Sequence, residues 1–216
     1  MSPDAAEPHG RFITLEGPEG SGKTTAARHL ASWLRSRDVP VVLTHEPGGT
    51  PLGEEIRRIV LHMRGMSDDL DPRADALLYA AGRAQHVARV IRPALERGEW
   101  VVCARYLDSS LAYQGAGYGN DMTELRRLQD FATFGLRPDL TILLDVPVEV
   151  GLERTRRRAE WNRFEDTEHT AFFEAVRAAY LRLAEDEPDR FRTVDGSGSV
   201  DEADAAIRRM VEPLLG

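Results

Sequence analysis

In 216 residues the sequence has a single cysteine, Cys103, and a single lysine, Lys23. One cysteine excludes an intrachain disulfide and a cysteine-rich metal site. Within the apolar run Trp100-Val101-Val102-Cys103-Ala104 it reads as a small buried side chain rather than a nucleophile. No apolar run approaches the roughly 18 residues that suggest a membrane span. Positive charge is also scarce: 28 Lys and Arg stand against 36 Asp and Glu, a formal charge of −8. That balance argues against a general binder of polymeric nucleic acid or of anionic membrane, since both need a net basic face. The first ten residues are polar, contain Pro3 and Pro8, and lack the apolar centre of a secretory leader. The expectation is a soluble, cytoplasmic protein with a disordered tail over 1–10. The remaining length suits one α/β domain over 11–216.

What the sequence does have is alternation. Short apolar runs at 12–15, 41–44, 100–104, 140–144 and 191–194 read as buried strands. Between and after them, apolar residues at helical spacing mark helices over 24–37, 51–63, 72–96, 121–134, 147 onward, 170–187 and 200–214. Pro93 should kink or break the third of these, and Pro147 suits a first helical turn. No hairpin signal appears. Strand–helix alternation of this kind predicts a doubly wound five-stranded parallel sheet flanked by helices. Ligands of such sheets bind beyond the C-terminal strand ends. The loops after Leu15, Thr44, Ala104 and Leu144 leave such ends, and residues 105–119, rich in Ser, Gly and Tyr, read as one of them.

The first of these loops carries the strongest motif. Phe12 to Thr25 reads F-I-T-L-E-G-P-E-G-S-G-K-T-T, and Gly17, Gly22, Lys23 and Thr24 fit G-x-x-x-x-G-K-[ST]. A chain of this length and average composition contains that pattern by chance about once in a hundred times. Here the required strand before and helix after are both present. The physical content is a phosphate cradle. Glycines let Gly17-Pro18-Glu19-Gly20-Ser21-Gly22 curl so that backbone N–H groups converge on an anion. The helix N-terminus at Lys23-Thr24-Thr25 adds free donors and a favourable dipole. Lys23 brings a mobile charge to the β- and γ-phosphates, and the Thr24 hydroxyl suits Mg²⁺.

Further stretches are weaker when taken singly. Glu46-Pro47-Gly48-Gly49-Thr50, with Arg57 beyond it, is by itself a turn followed by an arginine. Tyr79 and Arg83 lie one helical turn apart, where a ring and a guanidinium can flank a base, although a helical Tyr is more often core. Arg105, directly after the third strand, can clamp a phosphate. Arg154, Arg156, Arg157, Arg158 and Arg163 form a cluster that is either a solvated face with pairs such as Glu153–Arg157 or a source of movable positive charge.

Together and in this order, L-E-G-P-E-G-S-G-K-T-T, E-P-G-G-T, L-L-Y-A-A-G-R-A-Q-H, R-Y-L-D-S-S-L-A-Y-Q-G, R-P-D-L-T-I-L-L-D-V-P and N-R-F-E resemble bacterial thymidylate kinases over nearly the whole chain. The resemblance implies transfer of the ATP γ-phosphate to dTMP with Mg²⁺, in a homodimer. It places Lys23, Thr24 and the rest of 17–25 on ATP, with Arg154 nearby. Glu19 falls near the dTMP sugar and transferred phosphate. Arg57 and Arg105 fall on the dTMP phosphate, and Tyr79 on the face of thymine. Arg83, Ser110, Gln114 and Pro47 fall around the base. Gly20 matches relatives whose lid, here around 154–166, supplies the catalytic arginine. Arg158 is the first choice, with Arg154 and Arg163 behind it, and Gly20 is expected to leave space for it. One departure stands out: Ala104 replaces the acid that relatives place before the strand-end arginine to help position Mg²⁺. Glu16, Glu19 or Asp145 are the candidate water-bridged substitutes. Two alternatives stay open on the sequence: a kinase for another nucleoside monophosphate, and a nucleotide-binding protein with weakened catalysis.

Overall fold

The computed structural model describes residues 10–62, 70–157 and 170–215. Five strands, β1 (Phe12–Glu16), β2 (Val41–His45), β3 (Trp100–Ala104), β4 (Leu140–Asp145) and β5 (Phe191–Asp195), form one parallel sheet in the order β2-β3-β1-β4-β5. The central strand β1 therefore lies between β3 and β4, with β2 and β5 at the edges, and the loop that follows it opens at the switch point, where open α/β sheets bind ligands.

The helices are α1 (Lys23–Arg35), α2 (Pro51–Arg57), α3 (Pro72–His86), α4 (Arg92–Glu96), α5 (Leu107–Ser110), α6 (Met122–Thr133), α7 (Val148–Arg156), α8 (Thr170–Asp186) and α9 (Val200–Val211). Period-two alternation decides which side each strand residue serves. Ile13, Leu15, Val102, Ala104, Ile142 and Leu144 pack with Leu30 and Leu34 of α1 and Ile207 and Val211 of α9. Phe12, Val101, Cys103 and Leu143 point the other way, onto Val87, Ile91, Tyr106, Leu111, Phe173 and Tyr180. Cys103 is buried there as a free thiol. Apolar burial on both faces is what a parallel sheet sandwiched by helices requires.

Two expectations change in detail. The helix beginning at Pro72 does not break at Pro93. It passes through a π-helical stretch, Val87–Ile91, and resumes as α4 with Pro93 in its first turn. The proline, which has no N–H to donate, thus follows closely on the stretch where the helical spacing has widened. Residues after Arg105, expected as a loop, are instead helical: α5 runs into a π-helical stretch, Leu111–Gly117. Leu111 and Ala112 bury themselves against α8, Leu107 joins the same core, and this burial overrides the Ser, Gly and Tyr content.

Candidate active site

The loop after β1 is wound by glycines at left-handed φ: Gly17 at 143°, Gly20 at 73° and Gly22 at 91°. A Cβ at Gly17 would lie 2.3 Å from the Leu144 carbonyl oxygen, so the loop hugs the end of β4. At Gly22 nothing lies within 4 Å, which leaves the backbone there open to a ligand. Lys23 Nζ donates to the carbonyls of Gly17 (3.0 Å) and Pro18 (2.7 Å) and to Ser21 Oγ (2.9 Å), folding back across the loop mouth. Thr24 and Thr25 are exposed at the start of α1.

Gly20 differs from the sequence expectation. Its hypothetical Cβ would meet the Gly151 carbonyl oxygen at 2.1 Å, and a Cβ on Gly151 would meet the Glu19 carbonyl oxygen at 2.3 Å. The space beside Gly20 is therefore filled by the α7 backbone. The glycine pair lets the loop and α7 touch main chain to main chain.

At the end of β3, Arg105 adopts φ 71°, unusual for a residue with a Cβ. Its N–H donates to the Leu15 carbonyl (2.9 Å), and its guanidinium turns toward the phosphate loop. Arg105 Nη2 donates to Glu19 Oε2 (2.6 Å), and Arg105 stacks 4.9 Å from the centre of the Tyr113 ring. Tyr113 Oη also reaches Glu19 Oε2 (3.3 Å). Burial opposes the Arg105 charge, but Tyr113 and Glu19 beside it push its pKa further up. Glu19, Arg105 and Tyr113 thus form one cluster joining the first and third strand ends.

Glu16 lies just beneath this cluster and is fully buried. Its Oε1 accepts from the N–H groups of Tyr106 (2.7 Å) and Ser109 (3.3 Å), and its Oε2 from Ser109 Oγ (2.6 Å) and Tyr180 Oη (3.0 Å). Burial, followed by the Asp108 charge, raises its pKa to about 7. Asp145 is held by both Arg177 Nε (2.7 Å) and Arg177 Nη2 (2.9 Å). All three carboxylates named as substitutes for the acid missing at 104 are therefore engaged. Glu16, moreover, is on the wrong side, because alternation puts Ala104 on the α1 face and Glu16 on the other.

The second wall of the site is built around Glu46. Its carboxylate takes Arg83 Nε (2.7 Å) on one oxygen and His86 Nδ1 (2.9 Å) on the other, and His86 Nε2 meets Thr44 Oγ1 (2.7 Å). Burial alone would raise the Glu46 pKa. Arg83 and His86 outweigh it and hold the carboxyl below its usual range. Arg83 also donates to Ser110 Oγ (2.9 Å), to Gln129 Oε1 and to the Tyr106 carbonyl (2.9 Å), at 2% exposure. Gln114 donates to buried Asp75 (2.9 Å).

This wall explains the E-P-G-G-T signature locally. A Cβ at Gly49 would fall 2.6 Å from His86 Nε2, and the Thr50 hydroxyl caps α2 by accepting from Gly53 N–H (2.9 Å). Arg57 is half-buried and donates to the Pro47 carbonyl (3.0 Å), while Tyr79 is half-buried on α3.

On α7, Arg154 donates to the carbonyls of Gly196 (2.7 Å) and Ser197 (3.0 Å) in the loop after β5, and Arg157 pairs with Glu153 (2.9 Å). Arg158 and Arg163 lie outside the described residues. The structure thus brings together Glu19, Lys23 and Arg105 around the loop mouth, and Arg83, Ser110 and Pro47 with Arg57 along the second wall. Sequence reasoning missed Glu46, His86 and Tyr113 as site components and misjudged Glu16. For Glu16 and Glu46 the available signal was a charged residue ending or directly following an apolar strand, while His86 and Tyr113 sit in helical segments and carried no such mark.

A phosphate loop leaving the central strand of a β2-β3-β1-β4-β5 parallel sheet, with an arginine from the neighbouring strand end at its lip, defines a P-loop kinase of the nucleoside-monophosphate type. Comparison with known proteins narrows this. The family pattern described as "Thymidylate kinase" matches residues 15–207. A thymidylate kinase of Pseudomonas syringae pv. tomato is 49% identical over 208 residues, covering 95% of this chain and 97% of the relative. One from Leifsonia xyli subsp. xyli is 56% identical over 200 residues, covering 92% and 93%. The crystal structure of thymidylate kinase from Ehrlichia chaffeensis superposes with a TM-score of 0.76 at 30% identity, over 95% of this chain and 99% of that one. The chain belongs to the thymidylate kinase family.

Proposed function

We propose that the protein transfers the ATP γ-phosphate to dTMP, giving ADP and dTDP. The observation that carries this reading is the 2.6 Å contact between Arg105 and Glu19. Glu19 belongs to the loop that cradles one phosphate, and Arg105 is the cation for a second, so two phosphates would meet side by side. Both substrates are anions and repel. The backbone donors of 17–25 and Lys23 hold the ATP phosphates, while Arg57 and Arg105 hold that of dTMP, offsetting the repulsion and aligning the attacking oxygen. No general base is needed, because that oxygen is already anionic near neutral pH. Tyr79 stacks on thymine, Arg83, Ser110, Gln114 and Pro47 border it, and Glu19 faces the sugar and the transferred phosphate.

In this reading 11–216 is a single domain and the lid role falls to 154–166, of which 158–166 lie outside the described residues. Arg158 supplies the charge for the transition state, with Arg163 and Arg154 as the other candidates, and closure excludes water. Arg154 reaches the Gly196–Ser197 loop on the ATP side, which suits a nucleotide-facing role. Mg²⁺ fits the donors present in one way. The exposed Thr24 hydroxyl offers one oxygen, and no cluster of metal-ligating side chains exists among the described residues. Mg²⁺ commonly keeps waters and takes substrate phosphates as ligands rather than an all-protein cage, and it would supply charge neutralisation between the phosphates. The active form is a cytoplasmic homodimer. Exposed Leu52, Leu77 and Phe131 (84% exposed), on α2, α3 and α6, offer apolar surface for the contact, and no helix among the described residues is long and apolar enough to cross a membrane.

An ADP-release assay with dTMP, dUMP, dCMP, AMP and thymidine at varied Mg²⁺ tests the reading. The fastest release is expected with dTMP. Release that does not depend on dTMP would overturn it.

A further inference from the structure

We infer that Glu16 is a positioning residue for the acceptor phosphate: it caps the turn after β3 from a neighbouring strand and thereby fixes the aim of Arg105. This rests on the proposed role of Arg105 in holding dTMP. The turn has a conformational problem to solve. Arg105 sits at φ 71°, a left-handed region that L-residues rarely adopt, and something must hold it there. The residue at the start of α5, Tyr106, makes no side-chain cap of its own. Glu16 supplies the acceptor instead, taking the N–H groups of Tyr106 and of Ser109, three residues further on. On the other flank of Arg105, its own N–H is held by the Leu15 carbonyl. The two consecutive residues Leu15 and Glu16 thus grip the backbone on both sides of the left-handed arginine.

The same carboxylate also reaches the arginine's side chain. Ser109 Oγ donates to Glu16 Oε2 at 2.6 Å and lies 3.3 Å from Arg105 Nη1, from which it accepts. A hydroxyl whose proton is committed to Glu16 presents its lone pairs to the guanidinium. The remaining donor, Tyr180 Oη, comes from α8, the helix that follows the lid segment. Glu16 therefore ties three things to the root of the phosphate loop: the turn, the arginine and α8. Gln at this position keeps the shape and one acceptor oxygen, but it turns the other into a donor. Ser109 Oγ would then receive hydrogens from both Gln and Arg105, and the chain that orients the guanidinium would break.

The test is steady-state kinetics of the full-length protein and its Glu16→Gln variant at about pH 8, above the Glu16 pKa of about 7 so that both carboxylate oxygens accept, varying dTMP and ATP separately. Expected for Glu16→Gln is a rise of about tenfold or more in KM for dTMP, with KM for ATP within about twofold of wild type, because the loop backbone itself is untouched. A purely structural Glu16 would lower the melting temperature and the active fraction and leave both KM values alone, and that result overturns the inference. If Glu16→Gln does not fold, Ser109→Ala decides instead, since it removes the hydroxyl link and keeps the backbone cap. A severalfold higher KM for dTMP alone supports the inference, and an unchanged one overturns it. Wild type that neither binds nor phosphorylates dTMP would sink the functional reading and this inference with it. An active wild type with an unaffected variant sinks the inference alone.

Discussion

Replacing Arg83 with methionine should be among the most damaging single changes in the chain, although it alters nothing on the surface. Arg83 is 2% exposed and donates to Glu46, Ser110, Gln129 and the Tyr106 carbonyl, linking α3 to the end of β2, to α5 and to α6. Methionine fills much of the volume, so the cost is electrostatic. The Glu46 carboxylate, itself only 5% exposed, would keep His86 and lose its charged partner. Breaking a buried ion pair from one side typically costs about 3–5 kcal/mol, because the remaining charge stays desolvated. In a chain of this size each kcal/mol is roughly 2–4 °C in Tm, so a drop on the order of 10 °C is expected.

Urea unfolding at pH 7, followed by circular dichroism, measures the cost directly. The double variant Glu46→Gln, Arg83→Met removes the orphaned charge and should be more stable than the sum of the single losses predicts, with a coupling of about 2 kcal/mol. The pH dependence has a sign of its own. Glu46 has a depressed pKa in the folded protein, so its contribution is present above the ordinary carboxylate pKa and lost as pH falls through the folded value. Without Arg83 that acid-side loss should begin at higher pH. A single-variant cost below about 1 kcal/mol, with no coupling, would mean that Glu46 is hydrated and the account of this wall is wrong.

Glu16 predicts the opposite pH sign. Its pKa is raised from 4.5 to about 7, so its neutral form stabilises the fold below pH 4.5, and that stability, about 3 kcal/mol, is lost as pH rises toward 7. Wild type should lose about that much stability relative to Glu16→Gln across this window, and a flat difference in parallel urea titrations would refute it. Gly20→Ala combines a left-handed φ with a Cβ 2.1 Å from the Gly151 carbonyl oxygen. It should cost about 2 kcal/mol or more and weaken ATP binding, as read by unfolding and by nucleotide titration. Ala104→Asp returns an acid to the α1 face of β3, toward the helix that carries Thr24. It should lower the Mg²⁺ concentration needed for half-maximal rate severalfold, and identical Mg²⁺ curves for the two forms would sink that expectation.

The five strands, their parallel arrangement and the phosphate loop were legible in the sequence, because each rests on local chemistry. Apolar runs bury wherever they are, and Gly17, Gly22, Lys23 and Thr24 carry their geometry in their own backbone preferences and spacing. The helix over 107–117 was not legible. Its Ser, Gly and Tyr residues argue for a loop, and only the burial of Leu107 and Leu111 in a core shared with α8, far along the chain, reverses that.

The carboxylates show the same division. Glu16, Glu19, Glu46 and Asp145 are all acids at or just beyond strand ends, and nothing in the sequence separates them. The fold does so by position. Glu19 meets Arg105 at the loop mouth, Glu46 is locked between Arg83 and His86, Asp145 is clamped by Arg177, and Glu16 is buried under the turn it caps. That a phosphate cradle sits at the end of a strand could be read from the residues alone, since spacing and glycine content are properties of one contiguous stretch. Which acids and arginines face a ligand, and which hold the walls that shape its site, was decided only by the tertiary structure. Desolvation and pairing depend on partners dozens of residues away, and on which side of a strand an alternating side chain happens to fall.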